Sequence, residues 1–363
     1  MATVKFEVYF DEKFIDTIED NLDRQDEVIK DFLTFCQKFQ GGEVNVYTDM
    51  SVDKIISKKT ESVFFRSINV NGGPIIQSLP DLNNQLMLNN FYLNSSGYKL
   101  FFVERGDIND LKDNFGYLYF NFQKILTDWK YFSRTRIQEI GTFPITNNPE
   151  CDPRFDSWSY LKKFQHPINS ILICDRYILQ DKRTFKYNLF QIFEQLECKN
   201  ISKLQFEIFI ISELIGTEKV EGKWKNVDND IVRYGRSIQE NLQRSFGIDR
   251  IQITLIKLVS DRENREHFYK EHGRSFITNY WYLNPHNSFN FFKYNYIKNS
   301  IELAVQDNMD IRFVFHKEIR NLLKARLMVF QEITKNIEDT PIQKRLYGYP
   351  QISKKSRLLP LGD

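Results

Sequence analysis

The chain has 363 residues, 41% of them hydrophobic and 27% charged, with a formal net charge of +2. That length exceeds one average core and predicts two α/β domains, while the near-balanced charge excludes a polycation, so any nucleic-acid contact must come from local patches. The 32 Phe and 18 Tyr beside only 10 Pro exclude a disordered chain and predict thick, well-packed sheets.

Cys36, Cys151, Cys174 and Cys198 show no CxxC spacing, and Cys36 and Cys174 sit in apolar runs, which fits a reducing interior better than secretion. The opening MATVKFEVYFDEKF lacks the basic-then-apolar order of a signal peptide, and no apolar run reaches the length of a membrane span. The expectation is a soluble, cytoplasmic protein with no membrane partner.

In chain order, Val4–Phe10 alternates and predicts a strand with one buried face. Asp23–Phe39 predicts a helix with Val28, Ile29, Phe32, Leu33 and Phe35 on its stripe and Asp23 as N-cap. Glu43–Thr48 reads as a second strand. Further strands are expected at Phe91–Leu93, Lys99–Val103 and Tyr117–Phe120, with turns around Gly97, Gly106 and Gly116. The polar stretch Thr146–Pro153 reads as a linker. Beyond it, Ile171–Leu179 is a strand interrupted by charge, Tyr187–Leu196 an amphipathic helix and Leu204–Ser212 a central strand. Ile231–Phe246 predicts a helix with Arg233, Arg236 and Arg244 outward, and Arg250–Val259 another strand. His272–Tyr282, a turn at Asn284–Asn287 and Ser288–Tyr294 predict a hairpin. Ile311–Phe315 is one more short strand. Lys317–Lys335 is a long helix with Ile319, Leu322, Leu323, Phe330 and Ile333 inward, and Gln343–Leu359 a basic, extended tail. The expected organisation is an α/β domain over 1–150, a mixed sheet flanked by helices over 151–310, and a C-terminal helix with a basic tail over 311–363.

His272, Arg274 and Asn279 occupy the spacing HxKxxxxD, in which a histidine, a base and an acid handle a phosphodiester. Here the base is Arg274 and the acid has become Asn279. Upstream, Asp175-Arg176-Tyr177 interrupts its strand, and Asn188-Leu189 opens the next helix. In this order, over about Ile171–Phe292, the region resembles the phospholipase D-like fold. It is most similar to the degenerate single-copy form at the C-terminus of some MIT-domain proteins, where an aspartate–aromatic pair precedes an asparagine–leucine helix and a histidine-x-arginine strand follows. It departs from that form at Gly273, where an aspartate is usual, and at Asn284-Pro285-His286-Asn287, where paired small residues are expected.

In the intact family one histidine attacks phosphorus and a second protonates the leaving oxygen, so two motif copies must face each other. This chain has one copy. Arg274 retains a phosphate clamp, whereas Asn279 can hydrogen-bond but cannot stabilise a cationic imidazole by charge. The resemblance therefore implies a non-catalytic component that binds nucleic acid or a nucleoprotein through Arg274, Arg176 and Asn279, of a kind that fits bacterial anti-phage defence. Two alternatives stay open: a homodimeric, metal-independent phosphodiesterase or nuclease in which two His272 residues meet, and a structural adaptor that binds only protein. His272 and Arg274 alternating on a solvent-facing edge strand is the plain structural reading. Asp175 reads as the structural partner of Arg274 across neighbouring strands.

Further basic clusters bear on the same expectation. Lys130, Arg134 and Arg136 interleave with Trp129, Tyr131 and Phe132, a combination that stacks bases and neutralises backbone. Lys317, Arg320 and Lys324 are expected on one helix face. In the first half, Asp11 and Asp49 follow successive strands, as acids do in metal-dependent nucleases of the PIN or Toprim kind, or as helix caps. Gly222-Lys223-Trp224 fails the phosphate-loop pattern, and no HExxH, zinc-ligand pairing or GxGxxG occurs, so no cofactor is expected.

Overall fold

The computed structural model describes residues 4–22, 26–39, 44–69, 73–93, 96–134, 141–152, 154–179, 185–212, 217–220, 223–226, 230–257, 274–336, 346–350 and 356–359. It is a mixed α/β architecture in which a parallel sheet and a larger mixed sheet share one continuous apolar core. Among the described residues no helix is long and apolar enough to cross a membrane.

The first sheet has five strands, β1 (Phe6–Phe10), β2 (Val44–Thr48), β3 (Ile76–Ser78), β4 (Tyr98–Phe102) and β5 (Leu118–Phe120). They are all parallel, in the order β3-β2-β1-β4-β5. Helices α1 (Glu12–Asp20), α2 (Glu27–Cys36), α3 (Val52–Glu61), α4 (Val63–Asn69), α5 (Leu82–Gln85), α6 (Asn89–Leu93) and α7 (Ile108–Phe115) make the crossovers, and α8 (Phe122–Ser133) leaves the last strand. Side-chain caps start several of them: Asp11 Oδ1 accepts from Phe14 N at 2.7 Å, and Asn121 Oδ1 accepts from Lys124 N at 2.9 Å. The cap of α2 is Asp26, accepting from Val28 N, while the expected Asp23 lies outside the described residues. Helix α7 stops at Gly116, whose φ of 67° is left-handed and whose Cβ would meet Ile168 O at 2.8 Å, so only glycine serves there.

Two expectations for this sheet are corrected. β1 is covered on both faces, because parallel crossovers place helices on both sides of a central strand. Its alternation suggested a wet face, yet Glu7 is buried against Lys99 of β4. The segment expected as a strand at Phe91–Leu93 is the short helix α6. Three apolar residues fit one helical turn as well as a strand, and burial decides: Tyr92 Oη reaches Leu86 O and Tyr119 Oη, each at 2.8 Å.

The second sheet has eight strands in the order β17-β11-β8-β7-β12-β13-β16-β6. They are β6 (Thr142–Ile145), β7 (Ser170–Cys174), β8 (Phe206–Ser212), β11 (Ile251–Lys257), β12 (Ser275–Thr278), β13 (Trp281–Pro285), β16 (Asp307–Phe313) and β17 (Leu346–Tyr349). β7, β8 and β11 run parallel, and the remaining strands add antiparallel. Two separate ribbons pair β9 (Thr217–Val220) with β10 (Lys223–Asn226), and β14 (Phe292–Asn295) with β15 (Ser300–Leu303). A helical turn at Phe185–Leu189 leads into α9 (Phe190–Gln195). Helix α10 (Asp230–Phe246) packs on β11 and β17 with Arg233, Arg236 and Arg244 exposed, and α11 (Lys317–Asn336) follows β16.

The expected hairpin lies elsewhere. The chain reverses at Asn279-Tyr280, pairing Phe276 with Leu283 and Ile277 with Tyr282. Thr278 Oγ1 closes this turn by accepting from Tyr280 N and Trp281 N. Asn284 and Pro285 remain in β13 opposite Asp310 and Met309, since burying Trp281, Tyr282 and Leu283 outweighs their turn-forming character. In α11, Ile319, Leu323, Leu327, Phe330 and Ile333 are buried, but Leu322, expected inward, is 41% exposed.

The two sheets meet at a polar junction. Asn279 Oδ1 accepts from Asn169 N (2.9 Å) and Ser170 N (3.1 Å), and its Nδ2 donates to Gly97 O (2.6 Å) and Asn169 Oδ1 (3.1 Å). Tyr280 Oη donates to Lys99 O and accepts from Leu118 N, tying β13 to the first sheet. The Ser356–Leu359 segment plugs the same place. Arg357 Nη2 donates to Asn169 O and Gln205 O, Arg357 N donates to Glu207 Oε2, and Gly97 N donates to Arg357 O. A low-dielectric junction requires such pairing of its polar groups.

Candidate functional site at the edge of the mixed sheet

The parallel strands β7, β8 and β11 end together, and the carboxyl edge of such strands is where open α/β sheets present ligand sites. β7 runs straight into Asp175-Arg176-Tyr177. β12 is antiparallel to β7 with Ser275 opposite Cys174, so Arg274 arrives at the same edge. The two charged interruptions, about a hundred residues apart in sequence, are thereby neighbours.

Asp175 is fully buried at the centre of this edge. Its carboxylate accepts from Tyr177 N (2.7 Å), Phe289 N (2.8 Å) and Ser288 Oγ (3.0 and 3.1 Å). Burial pushes its pKa up, while these hydrogen bonds and the charge of Arg274 pull it back. The expected Asp175–Arg274 ion pair is replaced by this arrangement: Arg274 Nη1 donates instead to His286 O at 2.6 Å. Backbone N–H groups reach a buried carboxylate at the end of a strand more closely than a half-exposed guanidinium does. Asp175 and Arg274 together therefore hold the 286–290 loop. Arg176 lies over the Tyr177 ring at 4.9 Å, and its carbonyl accepts from Ser212 Oγ at the end of β8. Arg326 of α11, which sequence reading passed over, is close enough to lower the pKa of the buried Cys174 thiol against the upward push of burial and of Asp175. Its signal was a cation among the apolar positions of the helix.

Among the described residues, the other expected ones do not converge here. His272 and Arg136 lie outside the described residues. Asn279 sits five residues beyond Arg274, roughly 17 Å along the strand, so the two cannot grip one phosphate. It is fully buried in the junction, with its amide saturated by protein groups. Lys130 and Arg134 are exposed beside Tyr131, but Trp129 and Phe132 belong to the core, with Trp129 Nε1 donating to Asp31. Lys317, Arg320 and Lys324 share no exposed face. Arg320 is fully buried, its guanidinium donating to Phe315 O (2.6 Å) and Lys38 O (3.2 Å), because the turn before α11 and the turn after α2 leave carbonyls that need donors. A cavity of about 480 Å3, lined by Lys112, His166, Glu197 and Lys199 among others, lies away from this edge and contains none of the expected residues.

At the first sheet, Asp11 and Asp49 follow β1 and β2, joined by Glu104 after β4. Each is engaged in holding backbone: Asp11 takes Phe14 N and Glu104 N, Asp49 takes Glu12 N, and Glu104 takes Phe122 N. Among the described residues no group of three or more His, Cys, Asp or Glu side chains is placed to hold a metal ion. Burial raises the Asp11 carboxyl from its ordinary 3.8 to about 6, opposed by its two backbone hydrogen bonds and assisted by the charges of Asp49 and Glu104. A pKa raised by folding contributes stability that is full below 3.8 and lost as pH rises through about 6. Between those limits the loss from this group is on the order of 3 kcal/mol. Urea unfolding across that window should show the slope, and Asp11→Asn should flatten it, even though the amide also removes one backbone acceptor.

Comparison with known proteins adds no kin. No family model matches the chain, and neither a curated protein nor a solved structure matches it significantly.

Proposed function

We propose that this chain is a binding component that grips the phosphodiester backbone of nucleic acid at the edge of its mixed sheet, on a degenerate phospholipase D-like module, without cutting it. The observation that carries the reading is the convergence of Arg274 and Arg176 on one strand edge around the buried Asp175 carboxylate. Buried and satisfied by loop N–H groups, Asp175 fixes the loop beside the two arginines. Guanidinium groups suit phosphate through paired, charge-assisted hydrogen bonds. The overall charge of +2 supplies little long-range attraction, so affinity would rest on this local patch and on the exposed Lys130 and Arg134.

Titration of labelled oligonucleotide by fluorescence anisotropy across a salt series tests this. Affinity should fall steeply with salt, and the Arg274→Ala/Arg176→Ala protein should bind about tenfold or more weakly, with a salt slope lower by about one for each phosphate it no longer neutralises. Binding that is absent or indifferent to salt would favour a protein-only adaptor. Cleavage in EDTA that disappears in His272→Ala would make the chain a nuclease instead.

A further inference from the structure

We infer that the β14–β15 ribbon is a base-stacking arm, which makes single-stranded rather than duplex nucleic acid the ligand; this rests on the phosphodiester reading above. The ribbon leaves directly from the loop that Asp175 and Arg274 hold. Its root is rigid. Asn188, fully buried, accepts from Phe292 N and donates to Phe292 O, both at 3.0 Å, and Trp158 Nε1 donates to the same amide at 3.2 Å. Trp158 also packs against Phe289, Phe291 and Phe292.

Beyond that root the character of the chain reverses. Tyr296 is 66% exposed and Ile297, at the tip, 96% exposed. Tyr294 stacks on Tyr187 at 5.3 Å and 11°, and Tyr296 meets Tyr294 edge-on at 5.0 Å. Cations lie along the same stretch: Lys186 is 5.5 Å from the Tyr187 ring centre, and Lys293 is exposed on the ribbon one residue before Tyr294. The acid on the ribbon, Glu302, is engaged by Lys298 at 2.9 Å and Asn295 at 2.8 Å.

Pre-ordered tyrosine rings with Lys186 and Lys293 close in the chain match the two demands of a single strand, a stacking partner for unpaired bases and a counter-charge for the backbone. A duplex hides its base faces and cannot use the rings. A protein hot spot would sit in a desolvated pocket, whereas Tyr296 and Ile297 stand exposed on the ribbon. The arginine edge would hold phosphates while the arm takes the bases that follow.

The test compares the full chain with Tyr294→Ala/Tyr296→Ala, and with Tyr296→Ala alone in case the pair disturbs folding, using a labelled oligothymidylate of roughly 16 nucleotides and a duplex of equal length. Single-strand affinity should drop about tenfold in the double variant, duplex affinity should stay put, and Tyr296→Phe should bind as the parent does because the ring face remains. If the tyrosine variants bind single strands unchanged while Arg274→Ala weakens them, the arm is lost and the phosphate grip stands. Binding of neither ligand by the parent protein ends both readings. Equal losses on single strand and duplex overturn the stacking preference. A dimer in sedimentation that Tyr296→Ala dissociates, with single-strand affinity unmoved, makes the ribbon a protein contact instead.

Discussion

Asn279→Ala is expected to lower unfolding stability by on the order of 4 kcal/mol, at 1–3 kcal/mol for each buried partner left unsatisfied. The truncation strands the N–H groups of Asn169 and Ser170 and the carbonyl of Gly97, all inside the junction between the sheets. Asn279→Asp should be nearly as harmful. The carboxylate keeps the two N–H donors but presents negative charge to Gly97 O and Asn169 Oδ1, where the amide donated. Urea midpoints of the parent and both variants decide this. A loss below 1 kcal/mol in either would mean that water replaces the amide. Oligonucleotide affinity of the folded variant should match the parent, in contrast to Arg274→Ala, which separates the two ends of the motif by function.

Lys99→Ala is expected to cost about 3–5 kcal/mol, the penalty for leaving a buried charge without its partner. The ammonium is fully buried between β1 and β4, bonded to the Glu7 carboxylate and to Tyr9 Oη, and it lies about 5 Å from the Tyr9 and Phe91 rings. Burial lowers the Lys99 pKa and the neighbouring Glu7 raises it again. Removing both charges is a different experiment. In Glu7→Gln/Lys99→Met the glutamine still accepts from Tyr9 Oη and the methionine fills the volume, so most of the stability should return. A double-mutant cycle in urea reads the coupling directly, and near-additive losses would show that the two side chains act separately.

Local signals were enough for many elements. Alternation marked β2 and β11, an apolar run marked β8, and the arginine-flanked stripe marked α10. The meeting of Asp175, Arg176 and Arg274 was half legible: their types and order suggested one region, but only the antiparallel register of β7 and β12 makes them neighbours. Asn279 was misleading for a physical reason. Its partners lie at Asn169 and Gly97, 110 and 182 residues away, and no local pattern carries that information. Glu7 and Arg320 fail in the same way, since a charge on an alternating strand or helix reads as wet until a distant partner is known. Tyr294 read as the end of a strand, and Tyr296 lay beyond it. The alternation Lys293, Tyr294, Asn295, Tyr296 fits a ribbon whose other side faces solvent equally well.

The plug formed by Ser356–Leu359 also sets a timetable. Tyr98 Oη bonds to Leu358 O across a separation of 260 positions, and such distant closure is slow to form and raises contact order. At ordinary rates of synthesis, roughly 15–50 s pass between the emergence of residue 98 and that of residue 358. Through that interval Gly97 and the first sheet wait with an open seam. A nascent chain in that state is where association with the wrong neighbour has its longest opportunity.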